Sequence, residues 1–189
     1  LIGLQVQSYW TPGQPLSDNT LVLSNVKIQN CLTAGLYTEN YRIQATNLLV
    51  VDAGQYSVVL TGSGQYTFDQ VTIANYWDLD IRQEPAFLLS NRFSDINGAT
   101  QVRPIETSTF RNGIVYGNNG NEFKLEVDES ANPLFTFERF LVRTDQPTNN
   151  DAGHFPDQST IFRNVDPGFR DGPERDLRLR STAFAKGKA

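Results

Sequence analysis

The stretch 75–84, NYWDLDIRQE, combines residue types that bind sugars and cations. The rings of Tyr76 and Trp77 could stack on the apolar face of a sugar, with Arg82 as a charge partner for nearby acids. Calcium prefers several oxygen ligands, and three carboxylates in this stretch could bind calcium or sugar hydroxyls. They are Asp78, Asp80 and Glu84. In the alternative interpretation, Trp77 packs over a neighbouring part of the chain and the charges form a solvated corner.

A second group of acids surrounds the single histidine, His154, in the stretch NNDAGHFPDQ (149–158). A lone loop histidine is usually incidental, so the carboxylates near it are the better candidates for a cation site. They are Asp145, Asp151 and Asp157. No cofactor other than calcium is expected. The single cysteine, Cys31, is interpreted as a small thiol in a turn or core slot, because nothing suggests the lowered pKa that reactivity needs.

The composition excludes several classes of protein. The chain has 189 residues with a net charge of −5, which argues against a protein that binds the nucleic-acid backbone. A single cysteine rules out an internal disulfide framework and a cysteine-based zinc site. No run approaches the ~18 apolar residues that a transmembrane helix needs. The hydrophobic fraction of 39% is too high for a disordered chain.

The candidate residues lie within an internal repeat. Six similar segments place a polar residue, usually asparagine, before an alternating apolar strand, at spacings of 22, 23, 42, 27 and 25 residues. The segments are LSNVKIQN (23–30), ATNLLVVD (45–52), FDQVTIAN (68–75), FRNGIVYG (110–117), FERFLVRT (137–144) and FRNVDPGF (162–169). The polar positions are Asn25, Asn47, Gln70, Asn112, Arg139 and Asn164.

Each period contains three short strands and three turns. A second strand follows the first at a constant offset, and a third precedes each asparagine turn. Stacked coils of this kind bury one continuous core, with three parallel sheets and polar turn residues aligned along the axis. The set Asn30, Asp52 and Asn75 is a candidate polar ladder. The pattern predicts an all-β solenoid of about 22–27 residues per coil. An antiparallel sandwich or barrel is the alternative.

The 42-residue interval is interpreted as one coil with a long insertion. In this interpretation PAFLLSN (85–91) is a second strand, reached after a longer corner at 77–84, and the polar stretch 92–109 is a loop. A second loop covers 144–158. The first-strand positions Leu49, Val51 and Ile114 point outward although they are apolar. We expect the 92–109 loop to cover them, with an interaction surface as the alternative.

Much of the chain, from about residue 20 onward, resembles a known superfold. The resemblance is carried by VVDAGQYSVVLTGSGQYTFDQVTIANYW (50–77), PAFLLSN (85–91), NGIVYGNNGNEFKLE (112–126) and NVDPGFRDGPERDLRLRSTAFAKGKA (164–189). These segments resemble right-handed parallel β-helix proteins, the pectin-lyase-like superfold, of secreted, cell-surface bacterial type. DPGF (166–169) and LRLRSTAFAKG (177–187) are similar to segments at the C-terminal end of such helices. The resemblance implies one β-helix domain over 1–189, the C-terminal part of a longer exported protein.

This superfold includes polysaccharide lyases, whose chemistry needs a basic residue beside calcium-binding carboxylates on successive coils. Its hydrolases need paired carboxylates. The outward positions of the first strand contain no carboxylate. The second strands contain the charged residues Glu39, Glu122, Lys124 and Glu126. Three of these, Glu122, Lys124 and Glu126, lie within one coil and so are not stacked on successive coils.

The predicted function is therefore a non-enzymatic extracellular or cell-surface module for display, adhesion or assembly, with a glycan or another envelope protein as partner. The alternative is part of a polysaccharide-processing or carbohydrate-binding protein with its active coils upstream.

Overall fold

The computed structural model describes residues 1–8 and 15–188. These residues form an all-β structure with two short 3₁₀-helices, Glu129–Ala131 and Gln158–Thr160. The strands of the described part are β1 (Leu4–Gln7), β2 (Thr20–Cys31), β3 (Ala34–Ala53), β4 (Tyr56–Asn75), β5 (Phe87–Ser90), β6 (Arg92–Ser94), β7 (Thr100–Val102), β8 (Ser108–Gly117), β9 (Phe123–Glu126), β10 (Phe135–Val142), β11 (Ile161–Arg163), β12 (Phe169–Asp171) and β13 (Asp176–Leu179). No helix in the described residues is long and apolar enough to cross a membrane.

Nine of these strands form one long parallel sheet in which each strand pairs with the corresponding strand of the next repeat. One row of paired residues runs through five repeats, and the last of its residues pairs further with Ile161: Val26, Leu48, Val71, Gly113 and Phe140. This is the row that the sequence repeat predicts. The arrangement is compatible with a β-solenoid-like fold, and one return of the chain to the same place in the sheet is called a coil below.

The long strands β3 and β4 change direction at residues with left-handed backbone. Asn47 within β3 has φ 53° and Gln70 within β4 has φ 56°. Asparagine tolerates this conformation better than most residues, because its short polar side chain can hydrogen-bond locally. All six polar repeat positions have positive φ, as the prediction of turns at these residues requires: Asn25, Asn47, Gln70, Asn112, Arg139 and Asn164.

The core contains a stack of phenylalanines contributed by successive coils. The ring of Phe110 lies 5.3 Å from that of Phe68 and 4.5 Å from that of Phe137. Phe87 stacks on Phe123 at 5.4 Å in the same way. Gly113 has no side chain, and a Cβ there would lie 2.1 Å from the ring of Phe140, so the small residue makes room for a large one on the next coil.

The 42-residue interval is a single coil with an insertion, as predicted. Val71 pairs directly with Gly113, and β5 lies between β4 and β9. The insertion is more regular than expected. Within 92–109, β6 and β7 form a small antiparallel hairpin around Asn97 and Gly98.

The last repeat departs from the predicted register. Ile161 pairs with Phe140, and the backbone N–H of Arg139 donates to Oγ1 of Thr160 at 3.0 Å. Asn164 therefore does not lie beside Arg139. Its side chain instead hydrogen-bonds the N–H and C=O of Thr144, both at 2.9 Å. Asn75 contacts the N–H and C=O of Ala53 in the same way, so Asn164 occupies a turn equivalent to that of Asn75.

The segment that covers the outward apolar residues also differs from the expectation, which was the loop 92–109. Residues 169–188, here called the C-terminal strap, pack against the outer face of the sheet, whereas the 92–109 insertion does not supply this cover. Ile114 and Leu141 lie in a cluster with Phe169 and Ala185 of the strap. The alternating apolar residues of β13 explain how the strap can bury one side on this face.

Candidate functional site

The corner that follows β4 holds the indole of Trp77 inside the structure. Only 8% of Trp77 is exposed. Its backbone N–H donates to Oδ1 of Asn75 at 3.2 Å, and its indole N–H donates to Oδ1 of Asp80 at 2.9 Å. Stacking on a sugar needs an open ring face, which this indole does not present. Asp80 is correspondingly engaged as the hydrogen-bond partner of the indole.

Arg82 forms a buried ion pair beneath the same corner. Its guanidinium lies 2.5 Å from Oε1 of Glu122, and the two side chains are 2% and 0% exposed. Glu122 also accepts hydrogen bonds from the backbone N–H groups of Ala86 (2.9 Å) and Asn119 (2.7 Å). Burial raises the pKa of Glu122, and Arg82 opposes that rise. Arg82 is therefore a structural link between the corner and the following coils.

Tyr76 and Asp78 face the C-terminal strap. Tyr76 is half-buried in the apolar cluster under the strap, where burial raises its pKa. Its backbone N–H donates to Oδ1 of Asp52 at 2.7 Å. Arg175 of the strap lies 2.6 Å from Oδ2 of Asp52 and 3.3 Å from Oδ1 of Asp78. These contacts fasten the strap to the corner.

Removing the strap arginine tests this fastening. In Arg175→Ala, Asp52, which is 1% exposed, loses a charged partner, and we expect the free energy of unfolding to fall by about 1–2 kcal/mol after allowance for the partly exposed arginine. Hydrogen exchange should also quicken in the strap and in β8 beneath it. Arg178→Ala on the same hairpin is the control, because that side chain is 72% exposed. Equal effects of the two substitutions would contradict the proposed fastening.

Glu84, the remaining corner acid, belongs to a group of polar and charged side chains that interact around Lys124 of β9. This Lys124 cluster consists of Tyr56, Glu84, Lys124, Glu126 and Asp145. Tyr56 hydrogen-bonds Glu84, and Lys124 forms an ion pair with Glu126. Glu84 and Asp145 add to the field that acts on Lys124. One acid from each predicted site thus acts electrostatically on the same lysine.

The protonation states of Tyr56 and Lys124 limit the use of these two side chains as bases. Burial, followed by the hydrogen bond to Glu84, raises the pKa of Tyr56. The hydrogen bond to Glu126 raises the pKa of Lys124. Both groups are therefore protonated at neutral pH, whereas a general base must be able to accept a proton. The cluster can donate hydrogen bonds to a polar ligand and accept them through its carboxylates.

The predicted cation site is dispersed. Asp151 accepts the backbone N–H of His154 at 3.0 Å, and Asp157 accepts hydrogen bonds from Ser159 at the start of a 3₁₀-helix. Asp145 lies with the Lys124 cluster. Across residues 1–8 and 15–188, no three His, Cys, Asp or Glu side chains are placed to share a metal ion.

His154 lies at the end of the stacked core. Its ring stacks on Phe135 at 3.7 Å, with Nδ1 3.0 Å from the carbonyl oxygen of Phe135 and Nε2 3.3 Å from Glu129. The next residue, Phe155, packs on Phe137 at 5.6 Å. This segment therefore closes the core. Cys31 is buried, and burial raises the pKa of its thiol, as expected for an inert core position.

A groove of about 510 Å³ runs between the strap and the row of left-handed turn residues. The residues of that row which line it are Asn47, Gln70, Asn112 and Arg139. The turn row was predicted from the repeat, but the groove was not, because the sequence does not show where the strap packs. The alternation of Leu177 and Leu179 is the only signal that could have suggested a packed strand there.

Searches of protein-family models, curated proteins and solved structures found no match to this chain.

Proposed function

We propose that this chain is part of a right-handed parallel β-helix of pectin-lyase-like type and serves as a non-enzymatic module at the cell surface, for display, adhesion or assembly with envelope proteins. The resemblance carried by 50–77 and 164–189 supports the fold and the exported location. The parallel register through five coils supports a rigid stack that can hold a binding surface away from its anchor.

The observation that carries the non-enzymatic proposal is that charged corner residues form ion pairs within the protein. Arg82 is committed to Glu122, and Asp78 and Asp52 are committed to Arg175. The open Lys124 cluster offers a lysine and a tyrosine that are held protonated. Neither of these two side chains can serve as a base without first losing a proton, so the non-enzymatic proposal rests on the corner residues that are held in internal contacts.

The same cluster favours one alternative, a part of a polysaccharide-processing protein. Glu84 and Glu126 lie near one lysine on an outward sheet face, and Lys124 and Glu126 have side chains 39% and 45% exposed. Carboxylates in an open position could contact sugar hydroxyls. In this alternative, coils outside the present chain would supply the base.

Two measurements test the proposal. The purified chain and the full-length protein are each incubated with acidic and neutral polysaccharides, with and without calcium, and new reducing ends and unsaturated products are measured; we expect neither product from either sample. The full-length protein is located in its native host by fractionation and surface proteolysis; we expect it at the cell surface. Turnover that is lost in Glu126→Gln but kept in Glu138→Gln would replace the proposal with the enzymatic alternative. A protein retained inside the cell would contradict the surface role.

A further inference from the structure

The corner after β4 carries two apolar side chains on its outside. Leu79 and Ile81 are 75% and 89% exposed, and together they are called the apolar tip below. The charged residues on either side of Ile81 contact the protein: Asp80 accepts the indole N–H of Trp77 at 2.9 Å, and Arg82 is buried. Charged side chains are rarely buried, whereas apolar side chains favour the interior. The distribution in this loop is therefore the reverse of the usual one.

The apolar tip lies between residues that are held in place. Before the tip, Asp78 contacts Arg175 of the strap at 3.3 Å. Between the two tip residues, Asp80 is bonded to a buried indole. After the tip, Arg82 forms its buried ion pair with Glu122. Binding through a preorganised loop costs less conformational entropy than binding through a mobile one, so these contacts favour insertion of the tip into a partner.

The surroundings of the tip carry a net negative charge. Arg175 lies 2.6 Å from Asp52 and 3.3 Å from Asp78, so two carboxylates share one guanidinium. The charge of Arg82 is matched by that of its buried partner. Asp80 accepts from an uncharged indole and forms no ion pair within residues 1–8 and 15–188.

The strap turn beside the corner does not reverse this sign. Arg170 and Arg178 both act on Asp176, whose pKa they lower. Asp171 and Glu174 form no ion pair in the described part of the chain. Apart from the arginine that is already shared by the corner, the turn 170–178 thus has three acidic residues and two arginines.

This charge selects the class of partner that fits the tip. An anionic lipid surface would repel the acidic residues around it. Two copies that met tip to tip would place the same negative charges opposite one another. A protein pocket, by contrast, can combine an apolar floor with lysine or arginine side chains at its rim, and these would complement Asp78 and Asp80.

We propose that the apolar tip is an anchor that inserts into an apolar pocket of a partner protein, with basic side chains of that protein facing Asp78 and Asp80. This inference deepens the proposed assembly function, on which it rests, because it names the surface that makes the contact and the chemistry of the partner. The buried ion pair and the strap contact serve to hold the anchor in position.

The first experiment uses the full-length protein in its native host. A photo-crosslinking amino acid is placed at position 79, at position 81 or, as the matched control, at position 96. Ile96 is also an apolar residue at an exposed turn, where it is 84% exposed between β6 and β7. The cross-linked protein is identified and the cross-linked segment is mapped by mass spectrometry.

The second experiment is calorimetric titration of the identified protein, once purified, with the unsubstituted chain and four variants. Leu79→Ser and Ile81→Ser remove the apolar groups, and Ile96→Ser is the control. Asp80→Asn removes the charge and keeps a side-chain oxygen for the indole N–H. Vesicles of phosphatidylcholine, with and without phosphatidylglycerol, are a separate probe for binding to lipid. Thermal unfolding of each variant shows that it is folded.

We expect positions 79 and 81 to cross-link to one protein, at a segment that contains apolar residues together with lysine or arginine, and position 96 to give no such product. Leu79→Ser and Ile81→Ser should each weaken binding of that protein about tenfold or more. Asp80→Asn should weaken binding about threefold and reduce its dependence on salt. Ile96→Ser should leave binding unchanged.

Several results would overturn the inference. They are no cross-link at 79 or 81, equal cross-linking at 96, a mapped segment without basic residues, a second copy of this chain as the product, no effect of the tip substitutions on binding, or tip-dependent binding to the vesicles. A protein that lies at the cell surface without a cross-link at the tip leaves the proposed function standing. A protein that is retained inside the cell overturns the proposed function whatever its cross-links.

Discussion

Replacing Arg82 with alanine is expected to lower the free energy of unfolding by about 3–5 kcal/mol, because it leaves the Glu122 carboxylate buried without its charge partner. The side chain of Glu122 is 0% exposed, and its other hydrogen bonds come from the backbone of Ala86 and Asn119. These two neutral donors cannot replace a guanidinium. Chemical denaturation at pH 7 measures the loss.

The pH dependence of this loss identifies its cause. Burial already raises the pKa of Glu122, and removal of Arg82 takes away the contact that opposes the rise. In Arg82→Ala the folded state therefore takes up a proton at a higher pH than the unfolded state, whose glutamate titrates near ~4.3. The deficit relative to the unsubstituted chain should shrink as the pH falls from 7 towards 5. A deficit that stays constant over this range would show that lost packing, and not an unpaired charge, is responsible.

An exposed ion pair supplies the control. Arg92 contacts Asp128 at 2.9 Å, but its side chain is 52% exposed. Water solvates both charges in the absence of the partner, so Arg92→Ala should change stability little. If Arg92→Ala and Arg82→Ala destabilise the chain equally, burial is not the determining factor and the structural role of Arg82 is wrong.

The contrast between these arginines shows what sequence could reveal about the site. Arg82 follows two aspartates and two aromatic residues, a local composition typical of ligand binding. Its partner Glu122 lies 40 residues away on another coil, and no local pattern links the two. The sequence likewise placed Asp145 with Asp151 and Asp157, whereas electrostatics in the folded chain link it to Lys124. Charged residues could be listed from sequence, but their partners depend on the stacking.

The repeat was predicted more completely than the contacts of the charged residues. It depends on the backbone conformation of the turns, and the regular spacing of asparagines in the sequence indicates where those turns lie. Asn25 and Asn47 both have left-handed φ, and the amide of Asn47 donates to Oδ1 of Asn25 at 2.7 Å. The prediction that Asn164 continues the row of Asn25 and Asn47 was wrong. An asparagine at this position is compatible with two different turns of a coil. The side chain of Asn164 takes the turn with Thr144 as hydrogen-bond partner. Periodicity alone does not distinguish the two.

The second large effect is expected in the phenylalanine stack. Phe137 is fully buried, and its ring contacts rings from its own coil and from neighbouring coils: Phe87, Phe110, Phe123, Phe135, Phe140 and Phe155. Phe137→Ala should lower the free energy of unfolding by about 3–5 kcal/mol, because the removed ring leaves a cavity that its neighbours can fill only in part. Phe137→Leu should lower it by roughly half as much, since a smaller cavity remains.

The position of Phe137 in the stack predicts how this instability spreads. Each coil contacts mainly its neighbours, so a weakened coil can uncouple the two sides of a linear stack. In Phe137→Ala, hydrogen exchange should quicken first in β10, β11 and the closing segment around Phe155, while β3 and β4 remain protected. Phe162→Ala is the control, because Phe162 is only partly buried and packs under the strap. It should loosen the strap and leave β10 protected. Uniform acceleration across β3, β4 and β10 in Phe137→Ala would show that the stack unfolds as one unit, because its coils are then coupled more strongly than nearest-neighbour contacts imply.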